Sequence, residues 1–300
     1  MTVIKNVALV GTGNLSVFYV KEFKKAGSEF NLTVFTRPES LDKAKKLTGN
    51  DPKIEIRTVA YTNEEEIAEA LKDQDVVLCL LAFEGQQYQP YFINAAQKAG
   101  VKWFIPSEFG VDLENPRNAS LIFFNDKVQA RKQLESQADM AYTYIMPGAF
   151  ADQFIIPFHK WDVENHTVTI SGDGNTKFSL TSRRDVAAYT LAILRRFDQF
   201  RNKSARLAGY TMTPNELLRV VEDVTGHEFE VTYEPLDVVE ARITEGLQKN
   251  SYDPEVISDC LALSRGLGDS RVDWDGQRLD SELLTEVTPL PIAQVISESL

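Results

Sequence analysis

Short apolar runs alternate with longer amphipathic stretches through the first half of the chain. Residues 7–10 form an apolar run that stops at Gly11. Residues 15–25 follow with apolar positions at helical spacing, Phe18 and Phe23 among them. Gly27 stands just past their end, where glycine commonly closes a helix. The rhythm then repeats. Strands are predicted at 32–35, 54–59, 75–81, 101–105 and 141–146, and helices at 38–47, 64–71, 86–98 and 120–137. The helix at 64–71 has an acidic first turn, which suits its dipole. Short strands alternating with longer helices predict a parallel sheet covered on both faces. The near-continuous apolar strands fit burial on both sides.

After Pro147 the rhythm becomes irregular. Residues 168–171, the turn Gly172-Asp173-Gly174-Asn175 and residues 177–180 predict a β-hairpin. Helices are expected at 184–197 and 214–225, the second capped by Thr213, and a strand at 229–233. There is no internal repeat and no low-complexity linker. The fold class expected is α/β. A doubly wound parallel-sheet (Rossmann) domain would span residues 1–150, with elements returning around 180–210. A smaller, partly interleaved α+β substrate-binding region would take mainly residues 151–300.

Composition narrows the function. The 300 residues are 43% hydrophobic and 25% charged, enough for a sizeable core without metal or disulfide. The net charge of -12 argues against nucleic acid as a partner. Ten acidic and three basic residues at 251–300 supply much of it. Cys79 and Cys260 are too far apart in sequence to suggest a disulfide framework or zinc spacing, and Cys79 lies in an apolar strand run. No clustered ligand pattern suggests a metal, and no nucleophile elbow is present. The first residues lack the basic start and long apolar core of a signal peptide, and no apolar run reaches membrane-spanning length. A cytoplasmic protein with a small-molecule substrate and no membrane partner is expected, as a monomer or homodimer.

The loop Gly11-Thr12-Gly13-Asn14-Leu15-Ser16 follows a strand and opens a helix. Gly11 permits the tight turn, and Gly13 lets the backbone approach a pyrophosphate. The helix-start amides then face the anion. Ser16 replaces the usual third small residue, so the fingerprint is imperfect. The second strand ends in Thr36-Arg37-Pro38, with no carboxylate to take a ribose 2′-hydroxyl. Arg37 instead offers a planar fork for a 2′-phosphate, and Lys43 or Lys46 adds charge. The cofactor expected is NADP(H). Leu81 closes the fourth strand and Pro106, Ser107 and Phe109 follow the fifth, all at carboxyl ends, where such sheets bind ligands.

The run Ala99-Gly-Val-Lys-Trp-Phe-Ile-Pro-Ser-Glu-Phe-Gly110 resembles the hallmark of the isoflavone reductase-like and NmrA-like group of atypical short-chain dehydrogenases/reductases. The resemblance takes in the glycine loop, Arg37, the helix with Lys127, Tyr142-Thr-Tyr144, and Gly172-Asp-Gly-Asn175. It continues through Arg184-Asp185-Val186-Ala187 and Thr213-Pro-Asn-Glu-Leu217. It implies an NADPH-dependent reductase of C=C, C=N or activated ether bonds in bulky aromatic or heterocyclic metabolites. It also implies that Lys127, near the nicotinamide, acts as proton donor or relay. A desolvated lysine has a lowered pKa suited to that work. Some relatives bind the cofactor without turnover and act as redox sensors. A cofactor-bearing enzyme that steers a rearrangement, cyclisation or coupled redox step is a third reading.

Two departures matter. Phe123 stands where ordinary short-chain dehydrogenases carry the tyrosine of Tyr-x-x-x-Lys, so no phenol acts from that position. The segment Gly148-Ala-Phe150-Ala-Asp152-Gln153 differs from the pattern of the relatives, so the substrate wall is rebuilt. Phe109, Gly148, Phe150, Asp152 and Phe154 are the pocket candidates. Phe150, Phe154, Phe158 and Trp161 recur at a spacing that fits either a pocket lining or a core helix face. His159 and His166 are expected to be structural, and His227 has no evident partner in sequence.

Overall fold

The computed structural model describes residues 3–137, 139–249 and 253–300. The chain divides into two compact units. One comprises Met1–Glu108, Asp126–Ile145 and Ala187–Ala205; the other comprises Phe109–Asn125, Met146–Val186 and Arg206–Leu300.

The chain opens with β1 (Asn6–Val10), α1 (Ser16–Ala26), β2 (Asn31–Thr36), α2 (Leu41–Thr48), β3 (Glu55–Thr58) and α3 (Glu64–Ala70). It continues with β4 (Val76–Cys79), α4 (Gln89–Lys98), β5 (Trp103–Ile105), α5 (Pro116–Ala119), α6 (Asn125–Glu135) and β6 (Ala141–Met146). Next come β7 (Ala149–Phe150), β8 (Trp161–Asp162), β9 (Thr167–Ser171), β10 (Phe178–Thr181), α7 (Arg183–Leu194), α8 (Phe197–Phe200) and β11 (Lys203–Arg206). The last elements are β12 (Tyr210–Met212), α9 (Pro214–Thr225), β13 (Glu230–Glu234), α10 (Leu236–Lys249), α11 (Pro254–Gly266) and α12 (Ile292–Ser299).

The first unit is built on a seven-stranded sheet in the order β11-β6-β5-β4-β1-β2-β3. The pairs β1·β2, β2·β3, β1·β4, β4·β5 and β5·β6 are parallel. This is the Rossmann architecture expected from the alternating pattern. Every residue of β4 is inaccessible, because helices cover both faces. Edge strand β3 is more open and pairs Arg57 with Glu55 across one face. The chain steps outward from β1 to β3, then returns to lay β4 against the other side of β1. That reversal opens a crevice at the strand carboxyl ends, the place where such sheets take ligands. Among the described residues no helix is long and apolar enough to cross a membrane.

The second unit carries two three-stranded sheets, β12-β10-β7 and β13-β9-β8. Phe154, Trp161, Ile170, Phe178, Leu217 and Phe229 are central to its core. The predicted hairpin does not form. β9 pairs in parallel with β13 over five residues, and β10 pairs with β12 and β7. The glycine turn between them is held by the start of α9 instead. Asn215 donates its amide to the Gly174 carbonyl (3.1 Å) and its side-chain Nδ2 to the Asp173 carbonyl (3.1 Å). Thr213 caps α9 as expected, and the Glu216 side chain returns the bond to make a reciprocal box.

The long helix predicted at 120–137 is broken. Leu121 takes an extended backbone (φ -70°, ψ 122°), and a short 3-10 turn at Ile122–Phe124 precedes α6. The reason is packing. Leu121 and Phe123 lie against Val239, Ile243 and Val256, and Phe124 joins Val111 and Leu113. Residues 150–161 are also not a helix. The aromatic spacing there arises from β7, two 3-10 turns and β8.

Candidate active site

The glycine loop lies over the strand ends at the crevice. Gly11 has φ +106°, and a Cβ there would come within 2.8 Å of the Leu80 carbonyl oxygen. Only glycine fits that turn. Gly13 has open space around it, so the backbone is bare where a phosphate would approach. Ser16 is fully buried and donates its hydroxyl to the Gly11 carbonyl (3.0 Å), which ties the loop to the first turn of α1. The imperfect third position thus fastens the loop.

Helix α1 has no side-chain cap and no acidic residue in its first turn. By contrast α3, α9 and α11 are closed by Asn63, Thr213 and Asp253. An uncapped start with nearby bare glycine fits a bound anion such as a pyrophosphate.

Arg37 stands just beyond β2. Its Nε lies 3.2 Å from Glu39 Oε1, and the guanidinium is 5.9 Å from the Tyr61 ring. Both partners of the ion pair are substantially exposed, so the pair is weak and open to exchange. Lys43 and Lys46 are exposed on α2. Lys46 lies in the last turn, the end where Lys24 donates to the Thr48 carbonyl, while Arg37 adjoins the first.

Three strand ends are stitched together beside this loop. Ser107 donates its hydroxyl to the Leu81 carbonyl (2.6 Å), and its amide donates to Gln89 Oε1 (2.7 Å). Leu81 packs beside Gly11. Gln89, at the start of α4, is fully buried, and its Nε2 has no partner among the described residues. Pro106, Ser107 and Glu108 are all buried.

Lys127 and Arg131 are four residues apart on one face of α6, and both turn to Glu108. Lys127 Nζ donates to the Glu108 carbonyl. Arg131 grips the Glu108 carboxylate with Nε (3.1 Å) and Nη2 (2.7 Å). The Arg131 guanidinium also lies 4.2 Å over the Tyr144 ring. Burial pushes the Lys127 pKa down to about 8; the Glu108 charge opposes the shift and the Arg131 charge adds to it. Such an amine is a proton carrier matched to neutral pH.

In the second unit, Phe109 is buried with φ 35°, an unusual backbone for a bulky residue. Gly148 has φ +70°, and a Cβ there would overlap the Ser179 carbonyl. Phe150 is half-buried in β7. Asp152 accepts the Arg183 amide (2.9 Å) and Nε (2.7 Å), so its carboxylate closes the start of α7. Phe154 is buried and stacks on His159 at 4.8 Å. His166 stacks on His227 at 4.1 Å, the partner that sequence did not reveal. Phe123 packs at 4.0 Å on Phe124.

The NmrA-like family model matches residues 5–283. The chain belongs to the NmrA-like family. It is 28% identical to isoflavone reductase homolog P3 of Arabidopsis thaliana, over 84% of each chain. It is 25% identical to oxidoreductase aprR of Aspergillus flavus, over 96% of this chain and 95% of the other. Among solved structures, AtPrR2 with NADP+ and (+)pinoresinol superimposes with a TM-score of 0.82 at 22% identity, over 100% of both chains. At that identity the likeness is one of fold.

Two features of the NmrA-like site were not legible as chemistry. Arg131 reads in sequence as part of a polar face with Gln129 and Lys132, yet it is buried. Its spacing of four from Lys127 was the signal. Gln89 gave none, because its partner is a backbone amide in a distant loop.

Proposed function

We propose that this NmrA-like protein is an NADPH-dependent reductase of a bulky aromatic or heterocyclic metabolite, with Lys127 as proton donor or relay. The observation that carries the reading is the burial of Lys127 against the Glu108 carbonyl, which lowers its pKa to about 8. The first unit holds NADP(H) and the second selects the substrate. The uncapped start of α1, Gly11 and Gly13 would take the pyrophosphate, and Arg37 the 2′-phosphate, displacing Glu39. Thr12, Asn14, Leu15, Leu81, Pro106 and Ser107 would complete the cofactor contacts.

NADPH, when bound, supplies a hydride for reduction of a C=C, C=N or activated ether bond. The chain supplies the proton. Lys127 holds it at Nζ, and the Glu108 carbonyl fixes the direction of that atom. The ammonium is present at neutral pH but easily deprotonated. Relatives named isoflavone reductase homolog and a fold neighbour solved with NADP+ and pinoresinol support this class of chemistry.

The test is NADPH consumption with a panel of aromatic acceptors, for the wild type and Lys127→Ala. Loss of turnover with retained NADPH binding is expected. Full turnover in Lys127→Ala at saturating substrate would remove the lysine from the mechanism. Tight NADPH binding without consumption, together with a stable protein partner, would point instead to a redox sensor. Much tighter binding of NADH than NADPH would overturn the role of Arg37.

A further inference from the structure

Helix α6 turns two cations inward on one buried face. Lys127 and Arg131 are one turn apart, and each is 8% exposed. Like charges at this spacing repel, and burial sharpens the repulsion. Glu108, 3% exposed, answers both cations, but in different ways. Arg131 takes both carboxylate oxygens, with Nε on Oε1 at 3.1 Å and Nη2 on Oε2 at 2.7 Å. Lys127 Nζ donates to the Glu108 backbone carbonyl, and the carboxylate acts on it only as a nearby charge.

This division is not the one that charge alone would choose. An ammonium beside a carboxylate ordinarily binds it directly, since a charged acceptor makes the stronger bond. Here the planar arginine fork covers both oxygens at once, which the point charge of a lysine does not do. Lys127 is left with a neutral acceptor. Of the three groups two are cations and one is an acid, so one positive charge is in surplus. An arginine does not shed its proton in a protein. The surplus proton is therefore the one on Lys127, and the clamp decides that.

The carbonyl is itself held in place. The Glu108 amide donates to the Pro106 carbonyl (2.8 Å), and the Ser107 amide and hydroxyl donate to Gln89 and to the Leu81 carbonyl. The peptide that carries the Glu108 carbonyl leads into Phe109, whose φ of 35° is a costly backbone for a bulky residue. Strain of that sort persists where the surrounding bonds over-determine it. The Arg131 grip and the Lys127 bond are two such bonds. Arg131 is steadied in turn by the Tyr144 ring at 4.2 Å, and the Tyr144 hydroxyl donates to Glu135 (3.1 Å). Among the described residues, the charged groups that face Lys127 are Glu108, from the loop after β5, and Arg131, from its own helix. Tyr144 of β6 stands behind Arg131.

We propose that Arg131 is a positioning residue for Lys127: by covering both oxygens of Glu108 it withholds the carboxylate from the amine and keeps Nζ on the backbone carbonyl. The catalytic meaning rests on the reductase reading, in which the proton on Nζ is the one delivered. The clamp itself stands on contacts within the first unit.

The experiment is an NMR titration of the full-length protein carrying isotope-labelled lysine, followed at Cε from neutral to alkaline pH. The Lys127 signal is the one lost in Lys127→Met. Arg131→Met frees the carboxylate, so Nζ should move onto it and the Lys127 midpoint should rise by about one pH unit or more. Glu108→Gln keeps the carbonyl and leaves the Arg131 charge unopposed, so the midpoint should fall by about one pH unit. The double variant Arg131→Met/Glu108→Gln loses both charges and should titrate near the wild type. A clamp that only packed the loop would admit water when either member was lost, and every variant would then rise. A rise or no change in folded Glu108→Gln therefore overturns the proposal, as does an unchanged midpoint in folded Arg131→Met. Where Arg131→Met does not fold, Glu108→Gln and the double variant carry the test, and a double variant that rises overturns it.

Turnover separates the two readings. With the panel of aromatic acceptors, Arg131→Met should lower kcat by about tenfold or more at neutral pH and leave NADPH affinity unchanged. Arg131→Lys, which keeps the charge without the fork, should fall between. An unchanged kcat in Arg131→Met overturns the positioning role. Opposite shifts in the two single variants, with no NADPH consumed by the wild type, support the clamp and remove the reductase. NADPH consumption by the wild type, with both single variants rising, removes the clamp alone.

Discussion

Arg131 holds the Glu108 carboxylate in a two-pronged grip, with both side chains less than a tenth exposed. Lys127 binds the backbone of that same glutamate. The carboxylate, the fork and the amine form one buried unit that links the loop after β5 to a single face of α6. An enclosed pair of this kind is costly to leave half-made.

Removing one member is therefore expected to destabilise strongly. Arg131→Met should lower the unfolding free energy by about 3–5 kcal/mol, because Glu108 is left charged and enclosed. The double variant Arg131→Met/Glu108→Gln should recover part of that loss. Urea denaturation of the two single variants and the double variant checks this. Strict additivity would mean the pair does not act as a unit.

Lys127 gives a pH signature. Its folded pKa of about 8 lies below its ordinary value of 10.5. Between those two values the unfolded chain binds more protons, so the lysine's contribution to stability rises with pH. Below pH about 8 the folded state carries a penalty on the order of 3 kcal/mol. Lys127→Met should gain stability over the wild type at pH 7, and the gap should narrow by pH 9.5. Turnover that needs the protonated amine should fall as pH rises through about 8. A flat rate profile across that range would exclude Lys127 as the donor.

The two loop glycines should separate fold from binding. Gly11→Ala meets the Leu80 carbonyl at 2.8 Å with φ +106°, so it is expected to cost about 1–3 kcal/mol or more. Gly13→Ala has free space and should leave the melting temperature unchanged. It should weaken NADPH binding by about tenfold, because the methyl occupies the approach to the phosphates. Thermal melts and NADPH titrations of both variants decide the matter.

The exposed pair of Arg37 and Glu39 should tune cofactor choice. Glu39→Gln frees the guanidinium and removes a charge that repels phosphate. NADPH affinity should rise a few-fold, within the range of about 0.2–1 kcal/mol for an exposed pair. Arg37→Ala should abolish most of the preference over NADH. An unchanged NADPH to NADH ratio in Arg37→Ala would remove Arg37 from the cofactor site.

Asp152 is spent on the start of α7 through Arg183. Asp152→Asn should lower stability by about 1–3 kcal/mol. NADPH affinity should stay at the wild-type value. A selective loss of substrate affinity with no change in melting temperature would instead return Asp152 to the pocket.

Several of these residues were legible and others were not. The glycine loop, Arg37 and Lys127 stood out because each occupies a fixed offset from a strand end or a motif. The closing glycine of α1 and the Thr213 cap of α9 were equally open to reading, since a cap involves residues within one turn. Gln89 and Arg131 were silent or misleading. Glu108 showed itself only as part of a motif, without its partners.

The alternation of apolar runs and amphipathic stretches by itself determined the Rossmann sheet of the first unit. Period and capping act between near neighbours, so they are written locally. Tertiary structure alone decided which strands β9 and β10 would take and where the helix after residue 120 would begin. It also decided which charges would meet. Glu108 finds its two cations on α6, 19 and 23 residues away. Such meetings depend on how finished elements pack, and no local pattern encodes them.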